Sequence, residues 1–262
     1  MIRVEFEKQV SRLRTYVILG SMVGVAALMT LVFRVGSPSG GEGLVALGAH
    51  SGLNMALVVL AHTVLILPVV VALLAGSAIS EEAGWGTLSY LLLRPVSRRS
   101  LLASKLAVVV TLVLAATLVL SLAAVVAGIV AFGWHPLDTT SGTTISAGAA
   151  LSRIALATPY IAWSMAGIMS VTFFLSVVTD APLNAFAGGF GLGVVSQILD
   201  SFSAMGAVRN VLPTHYWRAG VGLFASPVSM DGMVRGFALQ LPYVIVFLAL
   251  AWWCFRRKDI LT

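Results

Sequence analysis

Six stretches of this chain, at about 16–33, 53–79, 106–132, 154–178, 181–199 and 237–255, contain no Asp, Glu, Lys or Arg. A helix needs about 20 apolar residues to cross the hydrocarbon of a bilayer, and each run meets or approaches that length. The chain is 59% hydrophobic and only 10% charged, where a soluble domain carries about 25% charged residues. So little charge cannot clothe a surface in water, so the solvent of these runs is lipid. Strands of a membrane barrel would alternate apolar and polar residues, and these runs do not. With no water to satisfy the backbone, continuous runs must be helices. The expectation is an all-α polytopic membrane protein, a single transmembrane domain over residues 1–262 with six spanning helices. The fifth is the weakest, because four of the six residues Gly188–Gly193 are glycine. Pro68 lies inside the second run and predicts a kink there.

Six crossings put both termini on one side. Basic residues decide which side that is. Arg3, Lys8, Arg12, Arg14, Arg94, Arg98, Arg99, Lys105, Arg256, Arg257 and Lys258 fall on the side of the termini, eleven in all. Five, Arg34, Arg153, Arg209, Arg218 and Arg235, fall on the other. The termini and the 80–105 segment are therefore expected in the cytoplasm. The first run follows a charged segment and reads as a retained signal anchor. Within residues 1–15, Ile2, Phe6, Val10 and Leu13 recur at helical spacing, and Val17 continues the pattern. Arg3, Glu7, Ser11 and Arg14 lie off that face, which predicts an interfacial helix on the lipid surface.

Outside the membrane, 34–52 and 133–150 read as ordinary loops, whereas 200–236 is too apolar to be one. Pro213 and Pro227 divide it. Short helices are expected there, with Tyr216 and Trp217 at headgroup level. Gly20 with Gly24, Gly189 with Gly193, and Ala124 with Gly128 are small-residue pairs that permit close helix approach. His62, the one histidine inside a run, is expected to bond a neighbouring helix. Cys254 reads as a small packing residue.

No GxxxxGK[ST], HExxH, CxxC or GxSxG motif occurs. A charge held inside a span is the usual mark of an ion-driven pump, and the six runs hold none. The remaining feature is a polar island, residues 80–105. Trp85, Leu88 and Leu92 sit at helical spacing within it, after Gly84 and Gly86. Arg94 and Pro95 end that pattern, and Ser97 or Ser100 can cap the next span. Arg98, Arg99 and Lys105 suit an anionic leaflet.

The island reads Glu81-Glu82, Gly86-Thr87-Leu88, Leu91-Leu92, Pro95-Val96-Ser97-Arg98 and then Lys105. The chain closes on Phe255-Arg256-Arg257-Lys258-Asp259-Ile260, and its outer segment carries Leu212-Pro213-Thr214. These elements resemble the signature of ABC-2 type transporter permeases. The resemblance implies a membrane subunit of an ATP-driven exporter in the bacterial cytoplasmic (inner) membrane. It would work as a dimer with a second permease chain, each copy gripping a separate ABC ATPase subunit. Carried over by residue, it makes Glu81, Glu82, Gly86, Thr87, Leu88, Leu92, Arg94 and Arg98 the contact that couples to the ATPase. Phe6, Val10, Arg12, Leu13 and Arg14 would form the interfacial helix beside it. ATP and magnesium would bind the partner ATPase, and no cofactor, metal or nucleic acid is expected on this chain. The uncharged runs suit an amphipathic or apolar export substrate. Proximity at one membrane face predicts that Glu81 or Glu82 pairs with Arg12 or Arg14. The alternative is a secondary transporter or channel driven by an ion gradient without an ATPase.

Overall fold

The computed structural model describes residues 2–36, 44–62, 66–86 and 97–258. The chain is an all-α membrane protein with five helices, or joined helix pairs, long and apolar enough to cross a bilayer. Helix α1 (Ile2–Val10) leads into α2 (Leu13–Gly36), and one helical turn, α3 (Leu44–Leu47), precedes α4 (Gly52–His62) and α5 (Leu67–Gly76). The short α6 (Ser80–Gly84) is followed by the longest helix, α7 (Arg98–Phe132). A two-stranded ribbon, β1 (Leu137–Asp138) and β2 (Thr144–Ile145), pairs Leu137 with Ile145 in antiparallel register. Then come α8 (Ala147–Ser164), α9 (Ala166–Val178), α10 (Pro182–Ser201), two 3₁₀ turns (Ser203–Val211 and Ala219–Phe224) and α11 (Asp231–Arg257).

The second apolar run is not one straight rod. α4 and α5 meet at 50° and together are apolar enough to form one broken span, which would be a sixth. Pro68 stands in the first turn of α5. Proline has no N–H to give and clashes with the preceding turn, so it starts a helix where it cannot continue one. The bend distributes the two halves: α4 packs on α7, while α5 packs on α9 and α10. The bundle thus has one group built on α7, with α2, α4 and α8, and one group of α5, α9, α10 and α11.

Small residues decide how closely α4 and α7 cross. A side-chain carbon added to Gly52 would stand 2.6 Å from the backbone of Gly128 and Ile129. Only backbone fits there. Gly189 packs on Thr172 of α9, whereas Gly20 and Gly24 have nothing within 4 Å of such a carbon. Among the described residues, the Gly20/Gly24 pair therefore serves no contact.

Buried polar side chains fasten the end remote from the termini. Gln240 of α11 accepts from the Gly167 amide at 2.8 Å and donates to the Pro213 carbonyl at 2.9 Å. Tyr160 donates to the Tyr216 carbonyl at 2.7 Å, Ser196 and Thr214 share a hydrogen bond of 2.6 Å, and Arg153 donates to the Leu223 carbonyl at 2.9 Å. The 200–236 segment is therefore pinned to the helices. Trp217 is corrected by this arrangement: it is 3% exposed and belongs to the core rather than to the headgroup layer. His62 bonds its own helix, at the Val58 carbonyl, rather than a neighbour.

The Gly52–Gly128 contact carries a prediction. Gly128→Val should lower the unfolding midpoint in detergent, at a cost of about 1–3 kcal/mol from overpacking. Gly20→Val, facing open space, should stay within about 0.5 kcal/mol of the parent.

Candidate functional site

Where α5 ends, its last turns are continued by Ser77 and Ser80, whose hydroxyls donate to the Leu73 and Gly76 carbonyls. These bonds carry the chain directly into α6 and place Glu81 and Glu82 in its first turn. Gly86 then takes φ +67°, a left-handed conformation that a side chain disfavours. Ser97 caps α7 by accepting from the Ser100 amide at 3.2 Å.

At the same end of the bundle, α1 lies across the base of α7. Helix α1 stops at Val10, and Ser11 and Arg12 form the turn into α2. The interfacial helix is thus shorter than the 1–15 expected. Leu13 opens the first span and is 78% exposed, while Phe6 is 39% exposed. Among the described side chains of α1 the most deeply buried is an acid, Glu5, 6% exposed.

Seven charged groups from α1, the turn into α2, the first turn of α2, α6 and α7 meet here. Lys105 of α7 is 4% exposed, and its ammonium lies 2.7 Å from Glu82 and 3.4 Å from Glu5. Glu82 is also held by Lys8, at 2.5 Å. Beside this core, Glu81 pairs with Arg12 at 2.5 Å and with Arg14 at 3.5 Å. Arg12 also lies over the exposed Trp85 ring, 5.9 Å from its centre. A charge taken out of water costs several kcal/mol unless it is paired, so each member requires the others. Burial opposes ionisation of Glu82, but the Lys105 and Lys8 cations outweigh it and hold the carboxyl below its usual range.

The expected pairing of Glu81 or Glu82 with Arg12 or Arg14 is thus resolved between the two acids. Glu81 takes both arginines, and Glu82 takes two lysines that the sequence reading left out of the pairing. Lys105 does not reach for lipid: it is inside the network. Arg98 is also redirected. One of its guanidinium nitrogens donates to the carbonyls of Phe255, Arg256 and Lys258 at 3.2, 3.0 and 3.2 Å, closing the end of α11. Lys258 in turn pairs with Asp180 at 2.6 Å. Val10 ends α1 and is half-buried. Thr87, Leu88, Leu92 and Arg94 lie outside the described residues. Among the described residues no group of three His, Cys, Asp or Glu side chains could hold a metal ion. What the network can do is mechanical: it ties three chain segments that are distant in sequence into one unit.

A family model described as "Protein of unknown function (DUF2705)" matches residues 15–261. The match includes Glu81, Glu82 and Lys105, and α1 precedes it. No curated protein matches the chain.

Glu82→Gln leaves Lys105 buried with a single, longer ion pair, and should cost about 3–5 kcal/mol in unfolding experiments in detergent at pH 7. The sign of the pH effect follows from the lowered carboxyl. Its stabilisation is complete above the unfolded value of 4.5 and is lost as pH falls through the lower folded value. The difference between parent and variant should therefore hold from pH 7 to about 4.5 and close only in stronger acid.

Proposed function

The chain belongs to the DUF2705 family, and we propose that it is the membrane subunit of an ATP-driven exporter of the ABC-2 permease kind. In this reading α4 and α5 count as one broken span, so that six spans place both termini in the cytoplasm of a bacterium. The eleven basic residues on that side support the orientation. The segment from Glu81 to Arg94 would be the handle for a separate ATPase, and α1 would lie beside it as the second contact.

The observation that carries the reading is Glu82, shared between Lys8 of the surface helix and Lys105 of the longest helix. A force applied to a loose loop is lost in bending. A force applied here reaches α1, α7 and the end of α5 together, because they hold one buried charge cluster. Rigid-body motion of whole helices is then the natural response. An amphipathic or apolar substrate is supported by an open-sided groove of about 350 Å³ between α7 and α8, lined by Leu118, Val125 and Ile154 with the Ser121 and Thr158 hydroxyls. Pairing with a second copy would complete the path.

The test is charge reversal at the Glu81–Arg12 pair. Glu81→Arg and Arg12→Glu should each reduce the ATP hydrolysis stimulated in proteoliposomes by a co-purified phosphate-loop ATPase. The double variant should recover part of the loss, with a coupling of about 1 kcal/mol. Full transport by the isolated chain on an ion gradient, with no nucleotide-hydrolysing partner, would overturn the reading.

A further inference from the structure

A second feature of the basic end lies away from the charge network. α7 begins and α11 ends there, and α9 approaches between them. The three helices leave an open-sided crevice of about 220 Å³, lined by Leu102, Ala103, Leu106, Phe173, Leu248 and Trp252, with Arg99 at its mouth. Phe173 at its base is fully buried, and Ala103 on its wall is exposed. Compact small-molecule pockets run to about 300–1,000 Å³, so this space suits a narrow chain better than a bulky ligand.

The rim is cationic and aromatic. The guanidinium of Arg99 lies 5.1 Å from the centre of the Trp252 ring, and that of Arg256 lies 5.7 Å from the same ring. Arg257 stands 4.2 Å from the centre of Trp253. Among the described residues, no carboxylate is within ion-pair distance of these three arginines. The contrast with their neighbours is marked, since Lys258 has Asp180 and Arg98 has the helix-end carbonyls. Two cations gathered at one indole repel each other unless an anion comes between them. Arg99 also lies in the first turn of a 35-residue helix, where the backbone dipole adds to the attraction for an anion. Both α7 and α11 are apolar enough to cross a bilayer, so the rim lies where lipid meets water and the crevice faces the acyl layer.

We propose that this crevice binds one anionic glycerophospholipid, with an acyl segment against Leu102, Leu106 and Leu248 and the phosphate held by Arg99 and Arg256. The occupant is set by complementarity of both parts. The cations call for a phosphate, and the crevice directly beneath them calls for a hydrocarbon chain covalently attached to it. A zwitterionic lipid carries a cation of its own to this cluster and is disfavoured. The site is independent of any ATPase and of the transport reading.

Native mass spectrometry of the full chain in detergent tests it, with phosphatidylglycerol and phosphatidylcholine of identical acyl chains as probes. The parent should retain one phosphatidylglycerol at a concentration at least about tenfold below that needed for phosphatidylcholine, in keeping with charge-assisted hydrogen bonds from two arginines to one phosphate. The double variant Arg99→Gln, Arg256→Gln should lose that preference, while Arg3→Gln, an exposed cation of α1, should keep it. Ala103→Phe fills the crevice without touching the charges, and should weaken retention of both lipids. Glycerol 3-phosphate, the headgroup without tails, should fail to displace the bound lipid at equal concentration. Equal retention of the two lipids by the parent, a preserved preference in the double variant, or an Ala103→Phe chain that binds normally would each overturn the site. Displacement by glycerol phosphate would reduce it to a free-anion site and overturn the lipid assignment. So would loss of a dimer in Ala103→Phe with no bound lipid in the parent, which would make the face a subunit contact.

Discussion

The Lys105–Glu82 pair constrains more of this molecule than any apolar contact. An ammonium 4% exposed at the foot of a membrane helix is tolerable only with its counter-charges in place. Glu82 is one and Glu5 is the other, and each comes from a different segment. Burying Lys105 therefore fixes where α6 turns out of the second apolar run and how α1 lies on the surface. α7 has room for such a site. Its 35 residues span about 50 Å at 1.5 Å per residue, against a hydrocarbon core of about 30 Å. Lys105 is two turns from the helix start, close to the boundary of lipid and water. The charge lies within a spanning helix yet faces Glu82 and Glu5 rather than the acyl layer.

The second constraint is the 50° angle between α4 and α5, with Pro68 in the first turn of α5. A straight second span would pack on one neighbour group along its length. The bend instead gives α4 to α7 and α5 to α9 and α10. The glycine crossing at Gly52 and Gly128 locks the α4 half, because any slide there drives backbone into backbone. α5 has no such lock to α7. In the proposed coupling, a displacement of α6 would act first on α5 and so on the group of α9, α10 and α11.

Much of this architecture was legible in the chain. Charge-free runs located the C-terminal ends of the membrane helices to within a turn, since lipid leaves a backbone no other choice, but α7, α8 and α11 begin about two turns earlier than the runs, at Arg98, Ala147 and Asp231. Pro68 announced its kink because the missing N–H is local chemistry. Acidic and basic residues at one face announced ion pairing, but which acid takes which base was not legible. Glu5 sits one residue before Phe6, and its spacing says nothing about burial. Lys105 looked like an inner-leaflet anchor because a basic residue beside an apolar run usually is one. Only the arrival of Glu82 from 23 positions upstream makes it a core residue. Gln240 was overlooked for a related reason: a lone amide in an apolar run carries no pattern. Its worth comes from the Gly167 amide and the Pro213 carbonyl, one on each side. Leu88 and Leu92, central to the sequence argument, lie outside the described residues.

The two ends of the bundle are fastened by different mixtures of forces. At the end remote from the termini, Gln240, Tyr160, Ser196 and Thr214 make neutral hydrogen bonds of 2.6–2.9 Å, largely out of contact with solvent, beside Asp200, which pairs with Arg209 at 3.3 Å and with His215 at 2.5 Å. The neutral bonds are short-ranged and indifferent to a charge approaching from outside. At the other end the fasteners are ion pairs, and Coulomb interactions respond to new charges over about a Debye length, near 8 Å at physiological salt. Arg12 is 20% exposed and Arg14 33%, so a partner surface or a lipid phosphate can compete for Glu81 and its cations. Glu82 and Lys105, 4% and 3% exposed, cannot be reached in this way. The site thus has a sealed inner pair that holds the helices together and an open outer pair that can exchange partners. A remote end held mainly by buried neutral bonds and a near end held by exchangeable charges would let the bundle pivot about the former when something binds the latter.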